Sequence, residues 1–250
     1  MRLPYLHDVH EFETPKDSGA MNPHTESWMF STLDAALCAH TVILMYHSIG
    51  DNPVDPHSLH PDIFARQMEE LSRRRVRVVG LLDALNEMRQ WRKGLRIVIT
   101  FDDAYSDFLT NAAPVLKEYG YPATVFAPTG LLGGNAAWDS YDKGKVLMTW
   151  SELAELQHMG FSVGGHTVSH ARLTECSESE LERELRDSLL QLKEHLDGSI
   201  PVLSYPGGYF GHRESLAARK AGYMAAVGVG SRVANYPWTN LYALRRRRWL

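Results

Sequence analysis

Leu95–Asp107 reads LRIVITFDDAYSD. Its centre, Ile97–Phe101, is an unbroken apolar run with β-branched residues, the pattern of a parallel strand covered on both faces. The run ends abruptly in two adjacent carboxylates, Asp102 and Asp103, and a helical pattern follows. A strand that delivers charge at its carboxyl end and then turns into a helix is one step of a βα architecture. Outward from this stretch the same rhythm repeats. Strands are expected at Thr41–Tyr46, Val76–Val79, Leu95–Phe101, Ala123–Ala127, Phe161–Gly164, Val202–Tyr205 and Tyr223–Val227. Helices are expected at Pro61–Arg75, Leu81–Arg92, Tyr105–Tyr119, Ser151–Met159, Ser177–Leu196 and Arg213–Ala221. Pro61 suits a first helical turn, and Gly120 and Gly160 suit positions just past helix ends. Seven βα steps within residues 41–250 point to an α/β barrel with helices outside, more than to an open doubly wound sheet.

Composition sets the outer bounds. The chain has 250 residues, 44% hydrophobic and 22% charged, which excludes disorder, collagen and coiled coil as whole-chain descriptions. A net charge of −4 offers no general field for nucleic acid. The two cysteines, Cys38 and Cys176, form no zinc-finger spacing. No apolar run reaches the length of a membrane span. The first 20 residues lack an apolar leader core, so a cytoplasmic location is expected. Residues 1–40 show no sustained period and read as an irregular extension, with a short helix at Ser31–Ala39. Residues 41–250 carry the βα rhythm and read as one domain.

Four strand ends carry chemistry. Adjacent Asp102 and Asp103 point different ways, so one can bind a metal while the other stays free as a base. Asp also caps helices at such junctions, but a second carboxylate needs another reason. FSVGGHTVSH follows, with His166 and His170 four apart. On a helical turn that spacing puts both imidazoles on one face, and Gly164–Gly165 allow close backbone approach. One carboxylate with two imidazoles fills three metal positions and leaves one open. LSYPGG, 203–208, exposes backbone amides that can serve an oxyanion or form an ordinary turn. VILMYHSIG, 42–50, delivers His47 to a strand end. His7, His10, His24 and His40 read as a solvated tail, His57 and His60 as surface, and Arg245–Arg248 as a solvated or strand-packed edge. Tyr105, Trp138, Tyr141, Trp150, Tyr209 and Trp238 lie near strand ends, where two or three are expected at the rim, and the long Gly-rich loop 128–147 suits substrate binding.

In this order the segments resemble the polysaccharide deacetylase (NodB-homology) family, carbohydrate esterase family four, over residues 41–250. TFDD stands at Thr100–Asp103, and H[ST]xxH at His166–His170. MTWSELAEL, 148–156, looks like the segment that leads into the second motif, and LMYHSIG resembles the poly-N-acetylglucosamine deacetylase branch. The resemblance implies a distorted (β/α)7 barrel and a metal-dependent hydrolase that removes N-acetyl groups from amino sugars. It implies Asp103, His166 and His170 as ligands of a divalent metal, Zn foremost, with Co, Ni and Fe suited to the same donors. It further implies Asp102 as general base, His47 as general acid and the Gly207 amide as oxyanion donor. The third motif departs: Ser204–Gly207 stands where many members have Arg-x-Pro-Tyr, so the arginine that would orient Asp102 is missing. Two alternatives stay open: a deacylase or deformylase of a small amide, and a catalytically silent carbohydrate-binding barrel. The expected partner is an amino-sugar substrate, not nucleic acid.

Overall fold

Why the chain closes into a barrel follows from where its double-sided apolar strands pair. The structure, a computed structural model, describes residues 39–141, 144–230 and 234–249. The extension before Ala39, with its expected helix, His7, His10, His24 and Cys38, lies outside the described residues. The elements run β1 (Ala39–Tyr46), β2 (Ser48–Ile49), β3 (Ser58–Leu59), α1 (Pro61–Arg73), α2 (Leu81–Arg89), β4 (Gly94–Phe101), α3 (Ala113–Glu118) and β5 (Ala123–Ala127). They continue with α4 (Trp150–His158), β6 (Ser162–Gly165), α5 (Glu178–His195), β7 (Val202–Ser204), α6 (His212–Ala221), β8 (Ala225–Val229) and β9 (Leu244–Arg247). Seven parallel strands close in the order β1-β4-β5-β6-β7-β8-β9.

The sevenfold count holds with one exchange. Val76–Val79 is not a barrel strand, since only Val78 bridges Ile97. β1 occupies the slot beside β4 in register from Ala39↔Gly94 to Tyr46↔Phe101, and β5 takes β4's other edge. The seventh strand is β9, inside the arginine run, and it closes the ring between β8 and β1. Charge concealed its strand pattern, in which Leu244 and Arg246 are buried and Arg245 and Arg247 are half-buried. His40 is also no tail residue: it belongs to β1 and is buried. The expected helix Tyr105–Tyr119 is shorter, because a π-helical turn at Phe108–Ala112 precedes α3.

Period-two alternation builds the interior in layers. Ile43, Val98, Val202 and Leu244 share one apolar cluster with Phe126 and with α2 residues Leu81, Leu85 and Met88. Two residues further along the same strands stand Met45, Thr100, Ser204 and Arg246, and two beyond that come His47 and Asp102. The apolar layer thus underlies a polar one at the carboxyl ends. Phe126 reaches across to β6, where Gly164 leaves it room: a Cβ there would lie 2.8 Å from both the Phe126 ring and the Val202 carbonyl oxygen. Helix ends carry their own stop and start signals. Thr149 and Ser177 cap α4 and α5 through reciprocal bonds with Glu152 and Glu180.

Because the Val202 carbonyl is backbone and cannot swing aside, Gly164→Ala overpacks the barrel. It is expected to destabilise the protein by about 1–3 kcal/mol, read as a lowered midpoint in urea unfolding.

Candidate active site at the carboxyl ends of the strands

The parallel register of β1 and β4 brings His47 and Asp102 to neighbouring strand ends. Asp102 points into the barrel mouth and is 4% exposed. Arg246 grips it with two bonds, Nη1 donating to Oδ1 at 2.7 Å and Nη2 to Oδ2 at 2.6 Å. The same guanidinium donates to Ser204 Oγ at 2.8 Å and Thr100 Oγ1 at 3.2 Å. These are the interior positions of β4, β7 and β9 at one level. Burial pushes the Asp102 carboxyl up, but the guanidinium more than offsets this, aided by the neighbouring imidazoles, and holds it at about 2. The orienting arginine expected to be absent is therefore present. It comes from the last strand instead of the third motif, and Arg246 is neither solvated nor at an edge.

Asp103 turns the other way through a left-handed backbone, φ +70°. Its Oδ1 lies 3.3 Å from His166 Nε2 and 3.2 Å from His170 Nε2. That oxygen is buried and has no hydrogen-bond partner. The three ligand atoms lie within 4.8 Å of one another. Two ligands on one tetrahedral ion at zinc-type bond lengths would stand about 3.3 Å apart, so the residues fit a divalent cation. His166 is fixed by the Ser204 carbonyl, 2.8 Å from Nδ1. A carbonyl only accepts, so Nδ1 carries the proton and the Nε2 lone pair faces Asp103.

The two imidazoles converge, but not on a helix. His166–His170 is a loop in which Thr167 (φ +65°) and His170 (φ +57°) are left-handed. Such conformations cost on the order of 1–3 kcal/mol each and persist only where the surroundings over-determine them. Gly165 lets β6 approach Tyr223, whose hydroxyl would stand 2.5 Å from an added Cβ. Trp138 stacks on His170, with centroids 4.4 Å apart and planes at 16°.

His47 is 13% exposed, and its Nε2 lies 4.0 Å from Asp102 Oδ2. Burial pushes its imidazole down to about 3 against the pull of the two carboxylates, so the ring is neutral at rest. His57, expected on the surface, is exposed but its ring packs against His47 at 4.8 Å between centroids, and Arg248 bonds His57 Nδ1. His60 is exposed and caps α1 by accepting from the Asp62 amide. Gly207 lies in the short turn Pro206–Gly208 after β7, with φ +64°, just beyond the Ser204 that anchors both Arg246 and His166.

The described parts of the 128–147 loop, 128–141 and 144–147, lie along this rim. Lys145 is nearly buried and pairs with Asp55 and, at 3.4 Å, with Asp139, which also accepts from the Tyr105 hydroxyl. Of the aromatics, Trp138 lies against His170, Tyr105 is buried, Trp150 stacks on His195, and Tyr141 and Tyr209 are exposed. Trp238 is not at the rim: it packs on Trp91, which precedes β4 at the opposite end of the barrel.

A family model described as polysaccharide deacetylase matches residues 92–226, more than half of the chain. Asp102, Asp103, His166, His170 and Gly207 lie within it, while His47 and Arg246 lie outside. YxkH of Bacillus subtilis (strain 168), named for the same family, is 28% identical over 226 residues, covering 90% of this chain and 75% of its own length. Poly-beta-1,6-N-acetyl-D-glucosamine N-deacetylase of Staphylococcus aureus (strain N315) is 24% identical over 188 residues, 71% of this chain, and the match spans 63% of that enzyme's length. The Streptococcus pyogenes deacetylase PplD, solved with acetate, superposes with TM-score 0.71 at 25% identity, over 84% of this chain and 92% of its own. IcaB from Ammonifex degensii shares the fold with TM-score 0.74 at 23% identity, over 83% and 91%.

Arg246→Met leaves a buried carboxylate unpaired and is expected to cost about 3–5 kcal/mol in urea unfolding. Adding Asp102→Asn to that variant should recover part of the loss, and a double-mutant cycle measures the coupling.

Proposed function

The chain belongs to the polysaccharide deacetylase family, an amidohydrolase class, and from that premise we propose that it removes acetyl groups from N-acetylated amino-sugar polymers or oligomers in a metal-dependent reaction. The observation that carries this reading is the placing of two adjacent carboxylates in unlike surroundings at one strand end. Asp103 converges on two imidazoles, while Asp102 is held apart by Arg246. The staphylococcal relative's action on a poly-N-acetylglucosamine supports the substrate class.

Asp103, His166 and His170 would hold the cation, Zn²⁺ suiting this donor set and Co²⁺, Ni²⁺ or Fe²⁺ being compatible with it. A divalent cation there supplies Lewis acidity, which acidifies water and polarises an amide carbonyl. Asp102 is ionised and oriented, so it takes the proton of the attacking water as general base. A carboxyl this acidic gives up a proton readily. His47, neutral at rest and 4.0 Å away, receives it and passes it to the nitrogen as the carbon–nitrogen bond breaks. Acetic acid and a free amine leave, the acid then giving its proton to the amine or to solvent. The Gly207 amide donates to the oxyanion that forms on the acetyl carbonyl. Aromatic faces at the mouth, Trp138 and Tyr209 among them, suit contact with pyranose rings. Among the described residues no helix is long and apolar enough to cross a membrane.

The test is acetate release from N-acetylglucosamine oligomers by purified protein, before chelation, after it, and after metal return. Activity should vanish with chelator and come back with Zn²⁺ or Co²⁺. Asp102→Asn should lower kcat by about 10²–10⁴-fold while metal content stays at one per chain. Near-normal turnover in that variant would remove Asp102 from the role of base.

A further inference from the structure

The metal-ligand loop has a partner outside the strand ends. Glu184 lies on α5, which the sequence marks only as one more exposed-looking acid in a charged helix, ESELERELRDSLLQLKEH. It is 6% exposed. Its Oε2 accepts the backbone amides of Val168 and Ser169, both at 2.9 Å, and its Oε1 accepts the Ser169 hydroxyl at 2.8 Å. Three donors of the His166–His170 loop therefore end on one carboxylate. The opposite side of the loop is held by backbone, since the carbonyls of Thr167 and Val168 accept from the amides of Thr129 and Gly130 at 3.0 and 2.8 Å.

This clamp acts on the strained part of the loop. Val168 and Ser169 lie between the two left-handed residues, Thr167 and His170. A chain free at those amides would relax toward ordinary backbone angles and swing the His170 ring away from Asp103. The helix that carries Glu184 is itself well anchored. Leu181, Leu185 and Leu189 pack with Leu203, Tyr205 and Tyr223, and Glu184 lies on that same buried face.

We propose that Glu184 is a positioning residue for the metal site, holding His170 in its ligating pose through the Val168–Ser169 amides. This rests on the metal reading above. Outer partners of metal ligands commonly govern affinity by 10–100-fold without touching the ion.

The probe is Co²⁺ added to the chelated full-length protein, followed by calorimetry and by the cobalt absorption spectrum, with the melting temperature of each metal-free form measured in parallel. Glu184→Leu, which keeps the helix packing, should lose about 10–100-fold in Co²⁺ affinity and shift the spectrum. Glu184→Gln should stay close to wild type, because its Oε1 can accept both amides and its amide can donate to Ser169 Oγ. Wild-type affinity and spectrum in Glu184→Leu overturn the proposal, as does a Glu184→Gln variant that binds no better than the leucine one. Should Glu184→Leu fail to fold, Glu184→Ala decides, since it removes both acceptor oxygens without adding bulk against the loop; unchanged Co²⁺ affinity there overturns the clamp. Wild-type protein that takes up no Co²⁺ overturns the metal reading and this inference together, whereas uptake indifferent to Glu184 overturns this inference alone.

Discussion

The buried ion pair between Arg246 and Asp102 joins the closure of the barrel to its chemistry. Two charges taken out of water cost several kcal/mol each in desolvation, and only good geometry offsets that. Here the geometry is a two-pronged match, with Ser204 and Thr100 accepting further guanidinium protons. The pair needs β9 in place between β8 and β1, and it needs Asp102 at the end of β4. A chain that failed to close would strand both charges. Closure and an oriented, ionised Asp102 are therefore one event.

The other half of the mouth is organised by different forces. Asp103, Thr167 and His170 all occupy left-handed backbone, which is costly for L-residues and most so for β-branched Thr167. Hydrogen bonds from elements distant in sequence reach the histidine loop: Ser204 on His166, and Glu184 and the Thr129–Gly130 amides on the residues that follow. The two adjacent carboxylates thus end in unlike surroundings. Asp102 faces a fixed cation from the protein, and Asp103 presents an oxygen without a hydrogen-bond partner between two imidazoles. That contrast lets neighbouring residues of one type take separate duties.

Much of the site was legible residue by residue. Asp102, Asp103, His47 and His166 sit at ends of strands whose apolar runs are unmistakable, and parallel strands carry their carboxyl ends to one face. His170 was found for a reason that proved incomplete: the spacing of four suggested a helical face, while a strained loop does the work. Arg246 was misread because four consecutive arginines look like a solvated run. The only local hint is that alternate residues, Leu244 and Arg246, fall on one face of a strand. Val76–Val79 shows the converse. Its composition suits a strand, but it meets β4 only at the Val78–Ile97 bridge, on the edge that β5 takes from Ile99 onward. Glu184 carries one faint signal, its place three residues after Leu181 and next to Leu185 on the apolar stripe of α5, and nothing in the sequence names the amides it accepts.

What the sequence determined by itself was the class of fold, the face on which polar side chains gather and most of the side chains that gather there. Hydrophobic periodicity and strand polarity are local, and they report directly on burial and direction. What only the tertiary structure decided was which strand closes the ring, which arginine meets Asp102, and how the histidine loop is held. Each of these depends on partners far apart in the chain, Arg246 to Asp102 across the last and second barrel strands and Glu184 to Val168 across a helix and a loop. A charge is written the same way in sequence whether water or a buried carboxylate surrounds it, and only packing distinguishes the two.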